Sequence, residues 1–284
     1  MKSFIGDFFP EVESKVLFFG FKFGPSSVRE LSNLRKMSYF VEPFDIDKRK
    51  NFLSDIKFAD VGNFGPDNFD EKISSVVASK KIPFILSHGH LASYYSLKHF
   101  PKETKVIILD AHCDLKNYYI DEKIMKVNEF TEGNKNESLN DSTWLRRHFE
   151  RKIQKDFLLL GIRSLDEDEL DFMKKNKISF FTSSQIKKEL GRVTQFVRDF
   201  SFNSNLYISL DVDVFDPSLV PTVHYPEANG IFYDHFVRIM ESISRTSRII
   251  GADVCCFRKS TKHVTDFLTV KAIFDMMGKI GGKY

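Results

Sequence analysis

The stretch Lys105-Val-Ile-Ile-Leu109-Asp110-Ala-His112-Cys-Asp114 joins an unbroken apolar run to two carboxylates and an imidazole. The run reads as a strand buried on both faces, because a half-exposed strand would alternate apolar with polar residues. If the chain stays extended past Leu109, side chains 110, 112 and 114 share one face. They then stand together at the carboxyl end of a buried strand, where ligand sites of open α/β sheets lie. A solvated turn is the plainer alternative, but His between two Asp at alternate positions is an uncommon turn composition.

Other runs have the same character: Lys15-Val-Leu-Phe-Phe19, Ile82-Pro-Phe-Ile-Leu86, Asp156-Phe-Leu-Leu-Leu160, Leu206-Tyr-Ile-Ser-Leu210 and Arg248-Ile-Ile-Gly-Ala252. Between them, helical spacing runs over Asp67 to Lys80, Glu167 to Asn176, Ser184 to Phe200, Tyr233 to Ser244 and Thr265 to Gly278. Strand–helix alternation predicts an α/β fold with a mainly parallel central sheet. No linker-like segment divides the chain, so residues 1–284 are expected to form one domain. The long polar stretch from Lys116 to Ser142 reads as a functional or mobile loop.

The motif logic repeats at Ser209-Leu-Asp211-Val-Asp213-Val-Phe-Asp216-Pro217, again after an apolar run. Ser209, Asp211 and Asp213 fall on one strand face, and two carboxylates there repel unless a cation or proton compensates. Asp216 before Pro217 reads as a turn residue bonding local backbone. In Ser87-His88-Gly89-His90, either histidine could complete a metal site, though such a pair is weak evidence by itself. Asp110, Asp114, Asp211 and Asp213 carry four negative charges, which two divalent cations would cancel. Carboxylate oxygens with imidazole nitrogens suit Mn²⁺, Fe²⁺ or Zn²⁺, and oxygen-rich octahedral coordination favours Mn²⁺. Paired metals can share a water and lower its pKa, so the residues point to a dinuclear hydrolase.

Composition bounds the setting. Lys plus Arg number 42 against 39 Asp plus Glu, a net charge of +3 that makes no electrostatic case for nucleic acid or membrane binding. No run approaches the roughly 20 apolar residues of a membrane span. Three cysteines, Cys113, Cys255 and Cys256, make no disulfide framework, and the first ten residues do not read as a secretory signal. A cytoplasmic protein is expected. The 30 Phe suggest an aromatic-rich core.

In their order, His90, Asp110-Ala-His112-Cys-Asp114 and Ser209-Leu-Asp211-Val-Asp213-Val-Phe-Asp216-Pro217 resemble the ureohydrolase family of arginase, agmatinase and formimidoylglutamase. Gly24-Pro25-Ser-Ser-Val-Arg29, Asp60-Val-Gly62, Gly161-Ile-Arg163 and Pro226-Glu-Ala-Asn-Gly230 extend the likeness over nearly the whole chain. The resemblance implies a three-layer α/β/α, arginase-like fold. It implies one metal site of His90, Asp110, Asp114 and Asp211, and a second of Asp110, His112, Asp211 and Asp213, with Asp110 and Asp211 bridging. The implied reaction is attack by a metal-bridging hydroxide on the carbon of a linear guanidine or amidine, as in agmatinase, with two Mn²⁺ as cofactors. Relatives assemble as trimers or hexamers, so a homo-oligomer is expected.

The chain departs from the family pattern in several places. Gly-Gly-Asp-His is replaced by Ser87-His88-Gly89-His90, losing an acidic residue beside the metal ligand. The glutamate expected to grip the guanidinium is replaced by Cys256, in Asp253-Val-Cys-Cys256-Phe-Arg258. A thiol cannot form the two-pronged bond of a carboxylate. Losing such a partner costs about 2–5 kcal/mol, or roughly 30- to 3000-fold in binding. Asp141 occupies the place of a family histidine that shuttles protons, and His148 is the substitute if the loop is shifted. The plain reading of His148 is a surface helix residue. Asp166 and Glu169 align with acidic residues that hold the amino end of the substrate in arginases, although acidic residues also favour a first helical turn. Glu227 lies at the expected rim. Cys113 and Cys255 read as packed small residues, and Lys72, Lys80 and Lys81 as a solvated face. Cys256 and Asp141 motivate the rival reading, a metal-binding pseudoenzyme or regulatory subunit of the same fold.

Overall fold

The computed structural model describes residues 3–4, 9–22, 25–54, 56–117, 139–151, 153–154, 156–259 and 263–282. Its sheet has eight strands: β1 (Val16–Phe21), β4 (Phe58–Phe64), β5 (Ile82–Ser87), β6 (Lys105–Leu109), β7 (Phe157–Ile162), β8 (Ser179–Thr182), β9 (Asn205–Asp211) and β10 (Arg248–Cys255). Their spatial order is β4-β1-β5-β10-β9-β6-β7-β8. All seven neighbouring pairs are parallel. A small antiparallel pair, β2 (Phe44–Asp45) and β3 (Lys50–Asn51), lies outside the sheet.

The unbroken apolar runs exist because helices cover both faces. Val16 and Phe18 face one core, with α1 (Pro25–Met37), α6 (Ser183–Lys188), α7 (Leu190–Ser201), α8 (Tyr233–Ser242) and α9 (Val264–Ile280). Leu17, Phe19 and Phe21 face the other, with α2 (Pro66–Ala78), α3 (Leu91–Leu97), α4 (Trp144–Glu150) and α5 (Glu167–Asn176). The same alternation splits Ile107 and Leu109 from Val106 and Ile108 on β6. Much of the phenylalanine content is core packing: Phe18 touches Phe4, Phe58 and Phe84, with ring centroids 4.8, 5.5 and 4.7 Å away.

Two differences from the sequence expectation have local causes. The helix expected over Ser184 to Phe200 is two helices, α6 and α7, broken at Glu189. A Thr182–Gln185 capping box starts the first of them one residue earlier than expected. The strands β4 and β8 lack the continuous apolar pattern because they lie at the sheet edges, with only partial burial and with Asp60, Gly62 and Asn63 interrupting β4. The stretch from Lys116 to Ser142 falls mostly on residues 118–138, outside the described residues.

Order along the sheet positions the site. β5 and β6 are consecutive among the sheet's strands in sequence, but β10 and β9 lie between them. Open α/β sheets bind ligands at such a switch point, beyond the carboxyl ends of the strands. His90 follows β5, Asp110 follows β6, Asp211 ends β9 and Cys255 ends β10. At the opposite, amino end lies a cavity of about 710 Å³ lined by Lys15, Lys80, Lys81, Arg245, Arg248 and Lys279, and by no acidic side chain among the described residues. Lys80 and Lys81 therefore belong to a cationic concavity rather than a plain solvated face. Among the described residues, no helix is long and apolar enough to cross a membrane.

The Asp60-Val-Gly62 segment has a structural task. Arg35 Nε and Nη2 donate to Asp60 Oδ2 and Oδ1 at 2.5 and 2.8 Å, and the two side chains are 1% and 2% exposed. The same carboxylate accepts from the Phe4 and Gly62 amides, tying α1 to edge strand β4. Arg35→Met should lower the unfolding free energy by about 3–5 kcal/mol, because it strands a buried carboxylate. Denaturant titration checks this value against the wild type.

Candidate metal centre

Backbone amides at the strand ends fix the carboxylates. Asp110 Oδ1 accepts from the His112 amide at 2.7 Å, Asp211 Oδ1 from Asp213 at 2.8 Å, and Asp213 Oδ1 from Ala111 at 3.1 Å. Asp114 Oδ2 accepts from the Trp144 indole at 2.7 Å, a contact without a sequence signal. The expected shared face is thus achieved, though not by continued extension. The chain turns at Asp114, whose φ is 53°, and Val212–Val214 form a short 3₁₀ turn.

Of the four donor groups among the described residues, two consist of carboxylates and imidazoles alone: His90, Asp110 and Asp211 in one, and Asp110, His112 and Asp213 in the other. Within each, one donor atom per residue lies within 4.8 Å of the others, and Asp110 belongs to both. His90 Nδ1 stands 3.0 Å from Asp110 Oδ2, 2.9 Å from Asp114 Oδ2 and 3.7 Å from Asp211 Oδ2. His112 Nδ1 is 3.1 Å from Asp213 Oδ2. His88 joins neither group; its ring meets that of His224 edge-on at 5.6 Å.

The far side of His90 decides what its near side can do. His90 Nε2 is 2.8 Å from Ser209 Oγ, and Ser209 Oγ donates to Asp253 Oδ1 at 2.6 Å. Asp253, wholly buried, also accepts from Ser93 and Tyr207 at 2.6 Å each. With the serine proton spent on Asp253, the serine oxygen accepts Nε2–H. Nδ1 then faces the carboxylates of Asp110, Asp114 and Asp211; burial opposes protonation of the ring, but Asp110 and Asp114 override it and push the His90 pKa well up. A buried position that draws positive charge between an imidazole and three carboxylates is one a divalent cation can take, so the donor set fits divalent metal. Through Ser209, Asp253 gives the His90 ring an acidic support.

The titration tendencies express the same crowding. Burial, then repulsion from Asp213 and Asp110, pushes Asp211 well up. Burial and then Asp110 raise Asp213, and burial raises Asp114. Burial opposes protonation of His112, but Asp110 and Asp213 override it and push its pKa up to about 12. In each case proton uptake answers a negative charge that a cation would otherwise neutralise.

A cleft of about 440 Å³ opens over the centre, lined by Asp141, Asp166, Glu169, Tyr225 and Cys256 as well as by the donor groups. Asp141 Oδ1 accepts from the Leu91 amide at 2.9 Å. Its carboxylate packs so closely on Gly89 that a Cβ there would lie 2.6 Å from Oδ2. Asp166 and Glu169 form a capping box at the start of α5, and Lys116 Nζ reaches both, at 2.7 and 3.2 Å. They face the cleft while already partnered. Glu227 Oε1 stands 3.6 Å from His112 Nε2 at the rim.

Arg163 builds the surrounding wall: it donates to the carbonyls of Asp213, Glu227 and Ala228 at 2.7, 3.0 and 3.1 Å. Gly161 permits this approach. Its φ is 101°, and a Cβ there would meet Val214 Cγ2 at 2.4 Å. Asp216 accepts from the amide and hydroxyl of Ser218, as its turn reading implies.

His148 is placed apart from the others. It is wholly buried rather than a surface residue, it does not line the cleft, and Nε2 pairs with Gln154 Oε1 at 2.6 Å.

A family model described as the arginase family matches residues 16–278. The chain belongs to the arginase family. It is a hydrolase of agmatinase-like ureohydrolase type. Among curated relatives, an uncharacterized 32.2 kDa protein of Methanothermus fervidus is 28% identical over 83% of this chain and 76% of its own. The N(1)-aminopropylagmatine ureohydrolase of Thermococcus kodakarensis is 25% identical over 83% of this chain and 75% of its own. The crystal structure of the agmatine ureohydrolase of Thermoplasma volcanium shares the fold, with a TM-score of 0.81, 22% identity, and coverage of 99% of this chain and 95% of that one.

Burial lowers the His148 pKa from 6.5 to about 4. Between those values the unfolded chain binds more protons, so the stabilisation is complete above pH 6.5 and is lost as pH falls towards 4. Relative to His148→Gln, wild-type stability should fall by about 3 kcal/mol across that window. Chemical unfolding of both proteins at stepped pH checks it.

Proposed function

We propose that the chain is a dinuclear, metal-dependent hydrolase that cleaves a non-peptide C–N bond in a linear guanidine or amidine. The observation that carries this is the pair of overlapping donor groups sharing Asp110, with His90 Nδ1 turned towards the carboxylates of one of them. His90, Asp110, Asp114 and Asp211 would hold one cation, and Asp110, His112, Asp211 and Asp213 the other. Two Mn²⁺ ions, favoured by the oxygen-rich set, would supply Lewis acidity and lower the pKa of a water molecule enough to make it a nucleophile near neutral pH.

The chain's own groups supply the remainder. Ser209 and Asp253 hold the His90 ring in the tautomer that presents Nδ1. Asp141, anchored at the start of α3 and lining the cleft, is placed to carry a proton to the leaving amine. Cys256, which lines the cleft, would face the guanidinium group. Asp166 and Glu169 share a single Lys116, which leaves net negative charge on that wall for a cationic tail. Residues 1–284 are proposed as one such domain, acting in the cytoplasm as a homotrimer or homohexamer on small molecules, without nucleic acid or membrane partners.

Metal-loaded protein should release urea or ammonia from members of a guanidine and amidine panel, and Asp213→Ala should abolish the turnover. Failure to retain divalent metal after loading overturns the proposal. Metal retention with no turnover across the panel favours the pseudoenzyme instead. Cys256→Glu should raise kcat/KM for agmatine or guanidinobutyrate by roughly 30-fold or more, the lower end of a restored carboxylate partner. An unchanged value in the folded variant removes Cys256 from the guanidinium position.

A further inference from the structure

A second set of donors converges beside the carboxylate–imidazole centre. The sulfurs of Cys255 and Cys256 and a carboxylate oxygen of Asp211 all lie within 4.8 Å of one another. Cys255 and Asp211 are register partners on β10 and β9. Consecutive strand residues normally point to opposite faces. Here the alternation is broken, because Cys256 adopts φ 61°, a left-handed conformation uncommon outside glycine. The turn brings two adjacent thiols to one point.

Cys255 Sγ donates a hydrogen bond to Asp211 Oδ2 at 3.6 Å, and the same spacing would serve two ligands of a single ion once the thiol proton is lost. With Zn–S near 2.3 Å and Zn–O near 2.1 Å, sulfur and oxygen ligands of a tetrahedral zinc ion lie roughly 3.6 Å apart. All three residues are buried, and Asp211 and Cys256 line the cleft, which provides an entry path. Three protein donors with the remaining direction open to a cleft match the coordination of open zinc sites. Thiolates favour Zn²⁺ over Mn²⁺, which prefers oxygen.

We propose that Asp211, Cys255 and Cys256 form a binding position for a thiophilic divalent cation, Zn²⁺ in preference to Mn²⁺. The position goes beyond the hydrolase reading and does not depend on turnover; because it uses Asp211, a cation held here would compete with those that Asp211 would hold in the dinuclear centre. Binding breaks two S–H bonds, forms two sulfur–metal bonds and releases two protons to solvent, with no change of oxidation state. Asp211 Oδ2 is also 3.7 Å from His90 Nδ1, so one carboxylate links the thiol side to the imidazole side.

The test uses Co²⁺ and Zn²⁺ as probes on the full chain, prepared metal-free under reducing conditions. Co²⁺ should produce an intense near-ultraviolet thiolate-to-metal charge-transfer band. Zn²⁺ should displace that band and protect both thiols from a thiol reagent. Cys256→Ser should cut the band to about half or less and weaken Zn²⁺ binding roughly tenfold or more, with Mn²⁺ uptake unchanged. Cys256 takes the decisive substitution because Cys255 is wholly buried, and thermal unfolding verifies the variant's fold. Weak d–d absorption alone from bound Co²⁺, identical in wild type and Cys256→Ser, overturns the proposal, as does failure of Co²⁺ to bind. Mn²⁺-dependent turnover without the band defeats this position and leaves the hydrolase reading intact. The band without turnover does the reverse.

Discussion

Four carboxylates, those of Asp110, Asp114, Asp211 and Asp213, share a small, largely buried volume, and Nδ1 of His90 faces three of them. The mutual repulsion of the carboxylates is the constraint around which the carboxyl end of the sheet is organised. Backbone amides take one oxygen each from Asp110, Asp211 and Asp213, and an indole takes one from Asp114. The second oxygens of Asp110 and Asp211 and the indole-bonded Oδ2 of Asp114 converge on His90 Nδ1, and that of Asp213 faces His112. A parallel sheet suits the purpose, because the central strands deliver their ends to one side, and insertion of β10 and β9 between β5 and β6 closes four of them around a point.

Most of this was legible in the sequence, for a definite reason. Strands covered on both faces write continuous apolar runs, so the interior strands declared themselves. β4 and β8, partly exposed at the edges, did not. The six candidate ligands stood out because clustered carboxylates directly after buried strands are costly unless a cation or a proton offsets their charge. The support around them was illegible. Trp144 reaches Asp114 across 30 residues, and Ser209 joins His90 across 119 and Asp253 across 44. Single-sequence reasoning has no means of finding such pairings. His148 misled for the converse reason: a histidine near a motif looks chemical, while its burial is a property of packing alone.

The departures from the family pattern divide into two kinds. The loss of the acidic residue beside His90 leaves another support of the ring in place, since Asp253 reaches the imidazole through Ser209 from the neighbouring sheet position. Asp253 does not stand in for the missing partner at Cys256, because it is turned away into its three hydroxyl donors. The first change bears on the surroundings of a candidate ligand, while the second alters what the cleft presents to a ligand.

The cationic cavity at the amino end of the sheet gives the formal charge of +3 a different meaning. Positive side chains gather at one end of the strands and carboxylates at the other. The two local fields are therefore opposite in sign: the cleft at the carboxyl end, rich in carboxylates, draws a small cation, while the concavity at the amino end suits an anion.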